Sequence, residues 1–235
     1  MGLGYIVVMV LAMGLSGLAS LWVKSAFAKY SQVQARNGMT GAQIARAILS
    51  WNNIDDVEVE ETPGKLSDHY DPRAKRLRLS SDNYHGRSVA ALGIAAHEVG
   101  HAIQHAESYA WLGFRSAIVP LLGVSSKFSW LLIMGGFMLG AATQSGLGFY
   151  AALAGVAMFG VTTAFTIVTL PVEFDASNRA MAALEGGQIL QGEELSGARA
   201  VLRAAASTYL AAAIGSALQL LYWLWRLGII GGRRN

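Results

Sequence analysis

A chain of 235 residues is long enough for one or two compact units. Apolar residues make up 53% of it and charged residues only 14%, which is too apolar for an ordinary soluble domain. Cysteine is absent, so no disulfide framework is available and any metal ligand must offer nitrogen or oxygen.

Taken in chain order, the stretch Leu3 to Val23 carries no charge and is long enough to span a bilayer, predicting a first transmembrane helix over 1–23. Ala26-Phe27-Ala28 resembles a signal cleavage site. The missing basic n-region and the length of the apolar part favour an uncleaved anchor. A polar segment, 24–116, follows. Its eleven Lys/Arg and ten Asp/Glu are mixed in sign and do not form a nucleic-acid-binding stripe. Within it Thr40 can cap a helix over Gly41 to Trp51. Val57 to Glu60 alternates like a strand, Pro63-Gly64 marks a turn, and Lys75 to Leu79 alternates again, so a short β-hairpin is expected. Ser88 can then cap an alanine-rich helix that carries His97-Glu98-Val99-Gly100-His101. Further apolar stretches predict transmembrane helices over 117–142, 147–170 and 207–226. The second is interrupted by Pro120 and Lys127; Lys127 either snorkels or precedes the span. The last ends in Tyr222, Trp223 and Trp225, placed like an interfacial aromatic belt. Between the last two spans lies a polar helical segment, 171–206, which Pro171 can open and Gly186-Gly187 breaks in two.

Residues four apart on a helix share a face, so His97 and His101 can aim both imidazoles at one ion. Glu98, beside the first histidine, can take a proton from an activated water and pass it to a leaving amine. Gly100 leaves room between the histidines for another segment or for substrate. His105 extends the spacing, but eight residues put it about 12 Å from His97 along the axis. That is too far to share an ion whose bonds to nitrogen are about 2 Å, so His105 is expected to be a partner or an ordinary polar residue. A catalytic zinc, one per chain, needs a third protein ligand, and Glu173 is the best candidate. Asp175 in the same stretch can supply a supporting hydrogen bond to a ligating imidazole. Donors to a developing oxyanion could come from Arg203, Tyr209, His85 or Tyr84, and the sequence does not choose among them.

The segments Ser67-Asp68-His69-Tyr70-Asp71-Pro72-Arg73, Leu77-Arg78-Leu79-Ser80, Ala95 to Gln104 and Pro171 to Ser177 together resemble the YugP-type membrane zinc metallopeptidases, over about Gly41 to Tyr209. The resemblance implies a gluzincin-like site with His97, His101 and Glu173 on zinc and Glu98 as base. Many gluzincins carry Asp four residues after the third ligand, where this chain has Ser177; Asp175 is the alternative for that orienting task.

The expected fold class is therefore a mainly α membrane protein: about four transmembrane helices and a small α+β zincin-like catalytic domain, with the histidine helix and a short β-hairpin. The expected activity is zinc-dependent endopeptidase action on unfolded or membrane-associated polypeptides, with the lipid bilayer as the other partner and no nucleic acid. The competing readings are a site-2-type intramembrane protease and a non-catalytic metal-binding scaffold or transporter. Transport pathways usually need ionisable groups inside the spans, and apart from Lys127 these hold almost none. Lys24, Lys29 and Arg36 follow the first span, while the 143–146 loop is uncharged. By the positive-inside rule this puts the site in the cytosol, at the bacterial cytoplasmic membrane. Arg226, Arg233 and Arg234 pull the opposite way.

Overall fold

The computed structural model describes residues 2–143 and 146–231. Residues 144 and 145 of the uncharged loop, with Arg233 and Arg234, all invoked above for topology, lie outside the described residues. Helices α1 (Leu3–Ser31), α5 (Ala110–Thr143), α6 (Gly146–Gly186) and α7 (Gly192–Arg226) are each long and apolar enough to cross a membrane. The remaining elements are α2 (Gly41–Trp51), β1 (Glu58–Thr62), β2 (His69–Asp71), β3 (Arg76–Ser80), α3 (Ser81–Tyr84) and α4 (Val89–Ala106). The chain forms two compact units, whose boundaries fall inside the long helices.

One unit comprises Ala19–Gly113 and Pro171–Thr208, so both polar segments belong to it. Its core is the apolar stripe of α2, the inward side of the sheet and one face of α4, joined by Ala180, Leu184 and Leu190. In α2 the buried residues Ile44, Ala45, Ile48 and Leu49 recur at helical spacing. Its start is fixed by a capping box in which Thr40 accepts from the Gln43 amide and the Gln43 side chain accepts from the Thr40 amide. Ser88 likewise caps α4 by accepting from Ala91 N. The chain just after α1 is pinned beside that cap by Ala35 N donating to Arg87 O and Val89 N donating to Val33 O.

The sheet corrects the expected hairpin. Its order is β1-β3-β2: β1 and β3 do pair, but in parallel, with Val59 opposite Leu77, while the antiparallel partner of β3 is the three-residue β2. The physical reason lies in Asp71, whose Oδ1 accepts from the amides of Arg73 and Ala74. That turn, and not Pro63-Gly64, reverses the chain into β3. The central strand buries Leu77 and Leu79 completely, and Arg78 ties it to both neighbours through Glu60 and Asp71.

The second correction concerns Pro171, which lies inside α6 and does not open a new helix. A proline in a long helix forfeits one backbone hydrogen bond, and burial of Val172, Glu173, Ala176 and Ala180 along one face holds α6 together through to Gly186. Here, as expected, the glycine pair ends it.

The other unit holds Met1–Leu18, Phe114–Leu170 and Tyr209–Asn235. Within it α5 and α6 meet backbone to backbone: a Cβ on Gly136 would lie 2.4 Å from Ala152 N, and one on Gly148 would lie 2.3 Å from Gly140 N. Close approach through small residues is how helices associate where lipid offers no hydrophobic contrast. Of the expected aromatic belt, Trp225 is exposed, but Trp223 turns inward. It packs on Tyr5 at 5.1 Å and Phe137 at 5.6 Å between ring centroids.

Candidate metal centre

On α4 the four-residue spacing brings the rings of His97 and His101 to 4.8 Å between centroids, edge to face. The third group comes from α6. Glu173 Oε2 lies 3.3 Å from His97 Nε2 and 3.7 Å from His101 Nε2, and all three residues can offer donor atoms lying within 4.8 Å of one another. A tetrahedral ion with bonds of about 2.0–2.1 Å separates its donor atoms by about 3.3 Å, so the carboxylate already stands near that spacing from His97, and a small inward movement of the set would close it around zinc. Glu173 is 2% exposed and His101 9%. Such burial of a carboxylate beside two imidazoles is stable only when a proton or a metal compensates the charge.

Electrostatics agree with that requirement. Burial opposes ionisation of Glu173, but the facing imidazoles of His101 and His97 outweigh it and hold the carboxyl far below the usual range. For His101 burial alone disfavours the imidazolium. The facing Glu173 carboxylate and the charge of Glu98 win, and its pKa is raised. A metal entering this site therefore displaces a proton, which makes its binding weaker as pH falls.

The helices α4 and α6 approach closely for a visible reason. A Cβ at Gly100 would sit 2.4 Å from Ala176 O and 3.1 Å from Ala176 Cα, so only glycine lets α6 lie against the histidine face. Of the two alternatives for Gly100, room for another segment or for substrate, the structure fills the space with α6. On α6, Val172, Glu173, Ala176 and Ala180 are all buried at helical spacing.

Both imidazoles are held from behind. Ser177 Oγ lies 3.2 Å from His97 Nδ1, so the serine standing four residues after Glu173 takes a hydrogen-bonding position on the first histidine. Gln104 Oε1 lies 3.0 Å from His101 Nδ1, and Gln104 Nε2 donates to Val172 O and Asp175 Oδ2, both at 2.8 Å. Asp175 thus reaches His101 through Gln104. Gln104 was missed from sequence, although it stands three residues after His101, a spacing at which helical side chains meet.

The remaining candidates disperse. His105 Nδ1 bonds the Tyr70 hydroxyl at 2.8 Å in a cleft of about 560 Å³ that Asp55, Asp56, Lys75 and Ala102 also line. Burial first, then the charges of Asp56 and Asp71, pushes the Tyr70 phenol up to about 12. His85 bonds Glu61 at 3.2 Å and stacks edge to face on Tyr84, while Arg46 donates to the Tyr84 hydroxyl. Arg203 is exposed on α7, and Tyr209 belongs to the other compact unit. Glu98 is 8% exposed on α4, and its charge acts on His101.

Residues 5–228 match the model of a family described as "putative neutral zinc metallopeptidase". A protein of Bacillus subtilis (strain 168) named "putative membrane protease YugP" is 44% identical over 217 residues, covering 92% of this chain and 93% of its own length. No solved structure matches the chain at a significant level. With the family model spanning nearly its whole length, the chain belongs to this neutral zinc metallopeptidase family.

Proposed function

We propose that the protein is a membrane-embedded zinc endopeptidase whose metal is held by His97, His101 and Glu173 and whose general base is Glu98. The observation that carries this reading is the convergence of His97, His101 and the buried Glu173 carboxylate, from two helices, with donor atoms within 4.8 Å of one another. Zinc bound there supplies Lewis acidity towards water and the scissile carbonyl. Glu98, next to His97, accepts the proton from the attacking water and returns it to the leaving amine. The substrates are unfolded or membrane-associated polypeptides.

Among the described residues the membrane-length helices are α1, α5, α6 and α7, and His97 and His101 lie on none of them. Glu173 follows the apolar stretch of α6. That supports hydrolysis at the bilayer surface over a site-2-type arrangement with both histidines in lipid.

Elemental analysis of purified protein should return one zinc per chain, together with hydrolysis of an unfolded polypeptide that chelation abolishes and zinc restores. His97→Ala, His101→Ala and Glu173→Ala should each lose the metal, since two ligands hold zinc too weakly. Stoichiometric zinc in Glu173→Ala would remove that residue from the ligand set.

The site faces the cytosol of a bacterial cell, because Lys24, Lys29 and Arg36 follow the first span. The native chain has no thiol, so single cysteines report the side directly. An impermeant maleimide applied to intact cells should label Ser145→Cys and spare Ser67→Cys. The reverse pattern overturns the orientation.

A further inference from the structure

We propose that Gln104 is a positioning residue of the metal centre, fixing the tautomer of His101 and tying it to the backbone beside Glu173, with Asp175 and Arg179 as its anchor. The inference rests on the zinc-site reading above and adds a device to it. Gln104 is completely buried, and its carboxamide has one acceptor atom and two N–H donors. Both groups at its nitrogen end can only accept: the Val172 carbonyl and the Asp175 carboxylate, each at 2.8 Å. Asp175 is held in turn by Arg179 Nε at 2.6 Å. Arg179 Nη1 reaches Glu107 at 2.6 Å, and its guanidinium lies over the Tyr109 ring.

This arrangement leaves the amide one orientation. Turned over, its oxygen would face a carbonyl oxygen and a carboxylate oxygen at hydrogen-bond distance, losing two bonds and gaining repulsion. In the orientation that remains, Oε1 faces His101 Nδ1 at 3.0 Å. A carbonyl oxygen only accepts, so Nδ1 carries the hydrogen and Nε2 keeps its lone pair for a metal. Nε2 is the atom that faces Glu173. His97 is held differently. Its Nδ1 partner is the Ser177 hydroxyl, which can donate or accept and so leaves the tautomer free.

Gln104 also bridges the two ligand helices, since Val172 directly precedes Glu173. One amide therefore sets an imidazole on α4 and steadies the chain of α6 at the adjacent carboxylate. The surface pair of Arg179 and Glu107 closes the relay where α4 ends.

The test is zinc affinity by chelator competition, with cobalt substitution as a spectroscopic readout of ligand geometry and circular dichroism of the metal-free protein as a check on folding. Gln104→Met keeps the length of the side chain and removes every bond. It should bind zinc about 10- to 100-fold more weakly than wild type and shift the cobalt absorption while melting cooperatively without metal. If Gln104→Met does not fold, Asp175→Ala decides, because Asp175 is partly exposed and its loss frees one end of the amide; it should bind zinc several-fold more weakly. Wild-type zinc affinity and an unchanged cobalt spectrum in the deciding variant would overturn the positioning role while leaving the metal site intact. Absence of zinc binding by the wild-type chain would overturn the metal-site reading itself.

Discussion

Glu98→Gln should retain a full complement of zinc and lose about 10²- to 10⁴-fold in turnover, the usual contribution of a positioned acid–base group. The substitution is close to isosteric, and the residue is 8% exposed in a well-packed helix, so the fold has little to readjust. What changes is chemistry: an amide oxygen cannot take up a proton at neutral pH. The metal should still bind stoichiometrically. The three proposed ligands, His97, His101 and Glu173, are untouched by the substitution. Separating zinc content from turnover is what distinguishes a base from a ligand, because His97→Ala, His101→Ala and Glu173→Ala should lose both together. Turnover near the wild-type value in Glu98→Gln would remove the hydrolase reading altogether.

Much of this architecture is legible in the sequence because local rules suffice for it. The Thr40 and Gln43 capping box, the Ser88 cap and the i, i+4 histidines are each decided within one or two helical turns. The four apolar helices need only composition and length. Glu173 is separated from the histidines by more than seventy residues, yet it stands out as an acid directly after an apolar run. The sheet is less legible. Alternation marks β1 and β3 as strands but carries no sign of direction, and β2 is too short to alternate. The clue to their topology is the Asp71 turn, which a reader drawn to Pro63-Gly64 passes over. Pro171 misleads for a related reason: a local breaker signal is outvoted by the burial of the helical face that follows it, which the sequence alone does not display. The hydrogen-bonded surroundings of His101 are harder still. Gln104 looks like any polar residue on an amphipathic helix until Val172 and Asp175 arrive from α6 to occupy its nitrogen.

The close approach of α4 and α6 yields a sharper expectation than any ligand substitution. Gly100→Ala should abolish most zinc binding and activity without touching a ligand. An added methyl group would meet Ala176 O at 2.4 Å and Ala176 C at 3.0 Å. These are backbone atoms, which cannot swing aside as a side chain would. The helices would have to part, and overpacking of this kind typically costs about 1–3 kcal/mol in stability. The centre suffers more than the fold, because His97 and His101 ride on one helix and Glu173 on the other, one turn before Ala176. Donor atoms now 3.3 and 3.7 Å apart would separate further, against a coordination tolerance of about 0.2 Å. Helix propensity pulls the other way, since alanine exceeds glycine by about 1 kcal/mol in a helix interior, so α4 itself should persist. Gly93→Ala supplies the control on the same helix. There the new methyl would meet the Ala198 Cβ at 3.4 Å, an ordinary contact, and the variant should keep zinc and gain up to about 1 kcal/mol in stability. Zinc titration and thermal melting of the two variants side by side would decide the matter. Wild-type zinc affinity in Gly100→Ala would show that α6 yields, and that the helix contact does not set the geometry of the site.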